Sequence, residues 1–303
     1  MPLPTGPFIL GETMTQLIQL ITFGIVQGLT YALLASSFWI IYSTTRTFHL
    51  AHSLTYAIAG YAVYVVSVQL AMPLWIGLLA SLLCSALAGC AIEFLLYDKL
   101  RKRGSTVLGI FLSSLGVAAA GTALLQLIFG PMVKQVPGFP NATLSMGEVT
   151  VTTLQLTGSA AALVTIAALY VLLTFTSIGN AVTAVRTNPR LSMAVGIRVE
   201  SVSLLVFAIG SAMAGLAAYF ETISFVAYPT MGLQPVMFGV IAVFLGGIGS
   251  VKGAALGGFV LGFLLVFSGL FLSQNLGVIL VFAVLLVIVV FRPDGLVRSP
   301  IGR

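Results

Sequence analysis

Charge is what this sequence has least of. Of its 303 residues only 7% are Asp, Glu, Lys or Arg, against roughly 25% in a soluble domain. Hydrophobic residues make up 59% and the mean hydropathy is +1.14. A water-soluble surface cannot be built from that inventory, so the chain belongs in a bilayer, where the backbone must close its own hydrogen bonds as helices or as a barrel. The apolar blocks are long, unbroken and contain glycine, unlike the short alternating strands of a barrel. The expectation is an all-α, polytopic transmembrane bundle forming a single domain over residues 1–303. Cysteine is nearly absent. Cys84 and Cys90 share one apolar block and read as small packed residues rather than a disulfide or a metal pair. There is no nucleophile elbow, Walker loop, HExxH motif or cysteine ligand set. A dinucleotide site would need a soluble strand–helix context that is missing too. Enzyme chemistry is therefore not expected, nor is a cofactor or a metal. Residues 1–15 lack the basic start and small-residue cleavage site of a secretory leader. The net charge of +6 is scattered over loops between spans, without the compact basic face of a nucleic-acid binder.

What is present is a series of apolar blocks at 17–42, 54–70, 74–97, 107–129, 154–175, 201–220, 232–245, 259–270 and 276–291. Block 17–42 exceeds the length of a crossing and implies tilt, whereas 54–70 is barely long enough and implies a slanted or broken segment. Block 232–245 is short and runs into GGIGSVKGAALGG, residues 246–258, where glycine is expected to break helix regularity and let backbones approach. That region is either a short crossing followed by a turn or a re-entrant pair. Counting it as a crossing gives nine segments, and about eight to nine is the expected range. Arg46, the cluster Lys99, Arg101, Lys102 and Arg103, the arginines of 177–200, Lys252 and the C-terminal arginines then share one side. Short basic loops stay cytoplasmic, which places the N-terminus outside and the C-terminus inside. Residues 131–150 form the longest outer loop.

The segment 177–200, SIGNAVTAVRTNPRLSMAVGIRVE, carries three arginines between two spans. Asn188 suits an N-cap, Pro189 the first helical position and Gly196 the exit, which predicts a short surface helix over 189–195. A preformed helix on the cytoplasmic face gives a partner something to grip.

Polar candidates inside the spans are few. Gln27 lies in the first block, where it prefers a protein partner to hydrocarbon. His49 and His52 are three apart and can share a helix face. They are either a relay or gate near the cytoplasmic end of a pathway, or interfacial residues bonded to loop backbone. Glu93 belongs near the inner interface, Glu200 at a helix start where an acid is favourable, and Glu221 at the outer end of the same helix, in an outer mouth, a docking surface or a purely structural place. Gly246, Gly247 and Gly249 are further candidates for a pathway or gate. This lining can pass a substrate, but it lacks the charged midplane relays of an ion-driven transporter. Driving energy is then expected to come from elsewhere.

Three motifs and the ending carry a resemblance: YALLASSFWIIYSTTRTFHLAHS at 31–53, AVRTNPRLSMAVGI at 184–197, FLGGIGSVKGAALGGFVLG at 244–262, and FRPDGL at 291–296. Over nearly its whole length the chain resembles the permease subunits of bacterial branched-chain amino acid ABC importers, of the shorter LivH-like type. The resemblance implies a multi-pass protein of the bacterial inner (plasma) membrane. Its partners would be a second, LivM-like permease, two cytoplasmic ABC ATPases and an extracytoplasmic substrate-binding protein, with membrane lipid around it and no nucleic acid. It also implies that the loop matching 184–197 couples to the ATPase through Arg186, Asn188, Pro189, Ala194, Gly196 and Ile197. ATP hydrolysis would belong to the ATPases. Where related chains often read Gly-Glu after the Ala-His pair, this one has Ser53 and Leu54, which opens the cargo beyond branched-chain amino acids to other small amino acids, urea or short-chain amides. The rival class is a self-contained channel or facilitator, which would have no use for a structured coupling loop.

Overall fold

The computed structural model describes residues 7–139, 142–146, 149–270, 272, 274–292 and 294–297. In chain order it has α1 (Pro7–Thr45), α2 (His52–Tyr64) prolonged by a π-helical turn (Val65–Gln69), and α3 (Leu74–Ile92) prolonged by a second π-helical turn (Glu93–Tyr97) into α4 (Asp98–Lys102). Then come α5 (Val107–Phe129), a hairpin of β1 (Thr143–Met146) and β2 (Val149–Thr152), and α6 (Thr153–Phe175). The remainder is α7 (Ser177–Thr187), α8 (Pro189–Ala194), α9 (Val199–Ser224), α10 (Leu233–Gly246), α11 (Val251–Ser268) and α12 (Gln274–Phe291). Among the described residues six helices are long and apolar enough to cross a membrane, and α10 and α12 are shorter apolar helices. The chain is an all-α polytopic membrane bundle.

Hydroxyl caps start several helices. Thr106 Oγ1 accepts from the Gly109 amide at 3.1 Å and Ser250 Oγ from the Gly253 amide at 3.1 Å. Thr152 and Gln155 form a reciprocal capping box at the start of α6. The loop expected over 131–150 contains the start of the antiparallel hairpin, with Thr143 opposite Thr152. Gln19 of α1 ties that hairpin down by donating to the Thr150 carbonyl and accepting from its amide.

Small residues set the packing. α11 lies against α1 and α10 so closely that a Cβ on Gly257 would overlap the Ala242 carbonyl oxygen, one on Gly258 the Tyr31 carbonyl oxygen, and one on Gly262 the backbone of Gly28. The glycine-rich run was expected to break helix regularity and let backbones approach, and its two halves divide these tasks. Residues 247–250 form the turn between α10 and α11, whereas α11 is continuous through Gly253, Gly257, Gly258 and Gly262, where the glycines serve helix approach, as small residues do between membrane helices. Within the run only Gly247, at φ +105°, has a conformation that favours glycine.

Two helices begin inside the protein. The Nε2 of His52, the first residue of α2, lies 3.1 Å from Ser37 Oγ. Ser37 is eight residues before the end of α1, about 12 Å along it at 1.5 Å per residue. The chain therefore turns back at Arg46, whose φ is +55°, and climbs within the protein over residues 46–51 before α2 starts. Backbone of this kind at membrane depth is tolerated only where it is buried in protein. Here Thr47, His49 and Ala51 are buried, and the Ala51 amide donates to Ser114 Oγ at 2.8 Å. α10 starts against the same place, since a Cβ on Gly232 would overlap the Ser53 carbonyl oxygen. It then runs alongside α1, with Phe238 edge-on to Tyr31 at 5.6 Å and Phe244 6.1 Å from Tyr42. The stretch over 225–246 thus crosses as a descending loop plus a half-length helix, and it ends on the face where α1 ends.

Candidate functional site

The segment 177–200 folds as two helices. In α7, Val182 and Val185 are buried against the bundle. Asn188 is extended (φ −153°, ψ 98°) and its Oδ1 accepts from the Leu191 amide at 3.1 Å, with Pro189 following at the first helical position. α8 closes at Ala194 with Val195 as its C-cap, one residue earlier than expected, and Gly196 follows in the left-handed region at φ +86°. A Cβ at Gly196 would meet nothing within 4 Å, so glycine is required there by backbone conformation. The Ile197 amide bonds back to the Ser192 carbonyl at 2.9 Å, and its side chain packs on the core.

What α8 presents is apolar. Leu191, Met193 and Val195 are 62%, 54% and 68% exposed. Arg190 and Arg198, which flank them in the sequence, are exposed as well. Exposed aliphatic side chains on a rigid, capped helix suit insertion into a partner's groove. Neither periodicity nor composition singled these three out, because a six-residue helix has too few turns to show a pattern.

Arg186 is bound to the opposite end of the sequence. Its Nη2 donates to the Gly249 carbonyl at 3.1 Å and its guanidinium lies 5.5 Å from the Trp39 ring. Trp39 Nε1 in turn donates to the Ile248 carbonyl at 2.7 Å. Burial, and secondarily the nearby Arg46 charge, pull the Arg186 pKa below its ordinary value, though an arginine stays charged. The amides of Leu296 and Val297 complete the junction by donating to the Leu245 and Gly246 carbonyls, both at 3.0 Å. Gly246 therefore ends α10, and Gly247 and Gly249 sit in the α10–α11 turn, which Arg186 of α7 reaches.

The histidines lie deeper than an interface. Both are buried, with ring centroids 5.2 Å apart. His49 precedes α2, so the two do not share a helix. Their ring partners are the side chains of Tyr97, Ser37 and Thr55 rather than loop backbone. His49 Nδ1 is 2.9 Å from the Tyr97 hydroxyl, which donates to Ser114 Oγ at 2.8 Å. With the Tyr97 proton committed to Ser114, its oxygen accepts the Nδ1 proton of His49, and the unprotonated Nε2 has no hydrogen-bond partner. Glu93 is buried below this group, paired with Arg101, which also reaches Thr47 Oγ1 at 3.4 Å. The cluster seals the climbing stretch to α3 and α5.

Gln27 is exposed on α1 and lines two cavities. The first, of about 290 Å³, lies between α1, α6, α9 and the 225–235 stretch and includes Gln155, Ser159, Glu221, Tyr228 and Gln234. Glu221 lies three residues before the end of α9, at the end of the helix where the sequence placed it, and accepts a hydrogen bond from Tyr56. The second cavity, of about 410 Å³, runs between α10, α11 and α12.

Residues 20–289 match the model of the family described as branched-chain amino acid transport system / permease component. The chain belongs to that family. Similar family proteins include the high-affinity branched-chain amino acid transport system permease protein LivH of Escherichia coli (strain K12) and of Salmonella typhimurium, each 26% identical over 291 residues and covering 91% of this chain and 94% of the relative. BraD of Pseudomonas aeruginosa, the permease protein of the same kind of system, matches at the same identity and coverage. A chain of the solved structure of PsaBC from Streptococcus pneumoniae in complex with Fab superposes with a TM-score of 0.50 at 13% identity, covering 91% of this chain and 92% of that one. At that identity the likeness speaks for the fold alone. Membership makes this chain a permease component with the bundle described above.

Proposed function

We propose that the chain is one transmembrane permease subunit of an ATP-driven importer, and that it forms part of the translocation path for branched-chain or other small amino acids delivered by a binding protein. The observation that carries the reading is α8: a capped helix offering Leu191, Met193 and Val195 to a partner, backed by α7 and fastened through Arg186 to the α10–α11 turn. A channel without a motor has no use for such a device. The complex comprises this chain, a second LivM-like permease, two ABC ATPases, one of them seated on α8, and an extracytoplasmic binding protein. It lies in the bacterial inner membrane with the N-terminus outside and the α8 face in the cytoplasm. The basic residues agree with this orientation, because Arg46 neighbours Arg186, and Lys252 lies 4.6 Å from the Tyr170 ring near the end of α6. ATP binding closes the ATPase pair and moves α8, and Arg186 passes that motion to α10. In this assembly the chain itself hydrolyses no ATP.

The test is substrate-stimulated ATP hydrolysis by the reconstituted complex, screened with leucine, isoleucine, valine, urea and small amides. Stimulation by an amino acid is the expected result. Stimulation by urea or an amide alone moves the cargo, and failure of any ATPase to assemble with the chain rejects the importer in favour of a channel.

A further inference from the structure

Glu221 stands 22 residues beyond Val199 on α9, about 33 Å along the helix from the end that joins α8. Its carboxylate lines the 290 Å³ cavity. Among the described residues it has one hydrogen-bond partner, the Tyr56 hydroxyl, and it forms no ion pair. Glu221 is half-buried; a carboxylate within a membrane bundle with so little compensation is costly, and such groups mark solute paths. The surrounding wall is selective. Tyr31, Phe220, Phe225 and Tyr228 contribute aromatic rings, whose faces attract cations and repel anions. Ser159, on the α6 wall, lines the same cavity, and its buried Oγ has no hydrogen-bond partner among the described residues. The remaining lining includes Leu33, Leu34 and Ala217.

We propose that this cavity binds the primary ammonium group of a small, largely apolar solute, with Glu221 as counter-charge and Ser159 as a further acceptor. The proposal rests on the reading of the chain as a transport subunit and narrows its cargo. An anion would meet Glu221, and neutral urea would leave that charge unpaired. A primary ammonium supplies both the charge and N–H donors for the carboxylate and the serine oxygen. The amides of Gln27 and Gln234, on the same lining, suit a carboxylate at the solute's other end.

The experiment uses the full chain in lipid nanodiscs, without binding protein or ATPases, titrated with radiolabelled L-leucine. Leucinamide keeps the ammonium, whereas 4-methylpentanoate keeps the side chain and carboxylate but lacks the ammonium. Leucinamide is expected to displace leucine and 4-methylpentanoate is not. Glu221→Gln is expected to weaken binding by about ten-fold or more, Glu221→Asp to retain most of it, and Ser159→Ala to weaken it by about three-fold. Absence of leucine binding, equal displacement by 4-methylpentanoate, or unchanged binding by Glu221→Gln overturns the proposal. If Glu221→Gln does not insert, the competition order of the wild-type chain decides alone. Uptake by the full complex is scored separately. Uptake without binding at this cavity rejects the cavity and leaves the importer standing, and ammonium-selective binding without ATP-driven uptake does the reverse.

Discussion

The two ends of α10 are held by different means. At its C-terminal end four carbonyl groups are engaged, two in its last turn and two in the turn that follows: Leu245 and Gly246 by the amides of 296 and 297, Ile248 by Trp39, and Gly249 by Arg186. At its N-terminal end the helix rests on a backbone contact between Gly232 and Ser53, with Leu233 and Gln234 exposed and cavities beside it. The fastened end faces α8, and the loosely held end faces the cavities. Under the proposed function, force enters where hydrogen bonds are dense and is felt where space is available.

The largest effect is expected from Gly246→Val at the fastened end. A Cβ there would overlap the Gly253 carbonyl oxygen, and neither backbone can retreat without opening the α10–α11 packing. The variant should not be recovered as a monodisperse protein in detergent; normal recovery and melting would show that the junction is looser than its geometry. Next, Leu191→Asp combined with Met193→Asp leaves the bundle untouched, since both side chains are exposed. It should lower substrate-stimulated ATP hydrolysis of the complex about ten-fold or more, as loss of central apolar anchors does at interfaces. Gly196→Trp should uncouple hydrolysis from uptake with insertion intact, and normal uptake would remove the coupling role. Trp39→Phe deletes the bond to Ile248 and should destabilise the chain by about 1–2 kcal/mol in denaturant titrations. Its counterpart at the loose end, Gln234→Ala, should change stability by less than about 0.5 kcal/mol. Equal losses from these last two would abolish the contrast between the ends. As a reference, Lys102→Ala removes a surface pair with Asp98 and should leave melting unchanged.

The sequence made some of this legible. The apolar block at 107–129 matches α5 end to end, because Thr106 caps it and Gly130 stops it at φ +77°. The block at 154–175 matches α6 within one residue, since a polar residue bounds each end. Asn188, Pro189 and Gly196 took the places their local chemistry dictates. Local chemistry says nothing, however, about partners far along the chain. Arg186 and Gly249 are 63 residues apart, and Trp39 and Ile248 are 209 apart. The glycine-rich run was legible only in part for a related reason. Both of its roles could be read, but which glycines turn the chain and which stay helical is decided by the tertiary approach of α1 and α10 to α11. The depth of His49 and His52 was likewise hidden, because a polar run between apolar blocks reads as a loop in water unless its partners, Tyr97, Ser114 and Ser37, are known.

The climbing stretch at 46–51 also bears on how the protein is made. The Ala51 amide is satisfied by Ser114, 63 residues later, and α10, which abuts Ser53, is synthesised later still. At about 5–20 residues per second, that serine leaves the ribosome roughly 3–13 s after Ala51 does. Until then the polar N-terminal end of α2 has only α1, through Ser37, to enclose it. Its enclosure is completed when α5 arrives, so packing at this depth follows the order of contacts rather than the order of the chain.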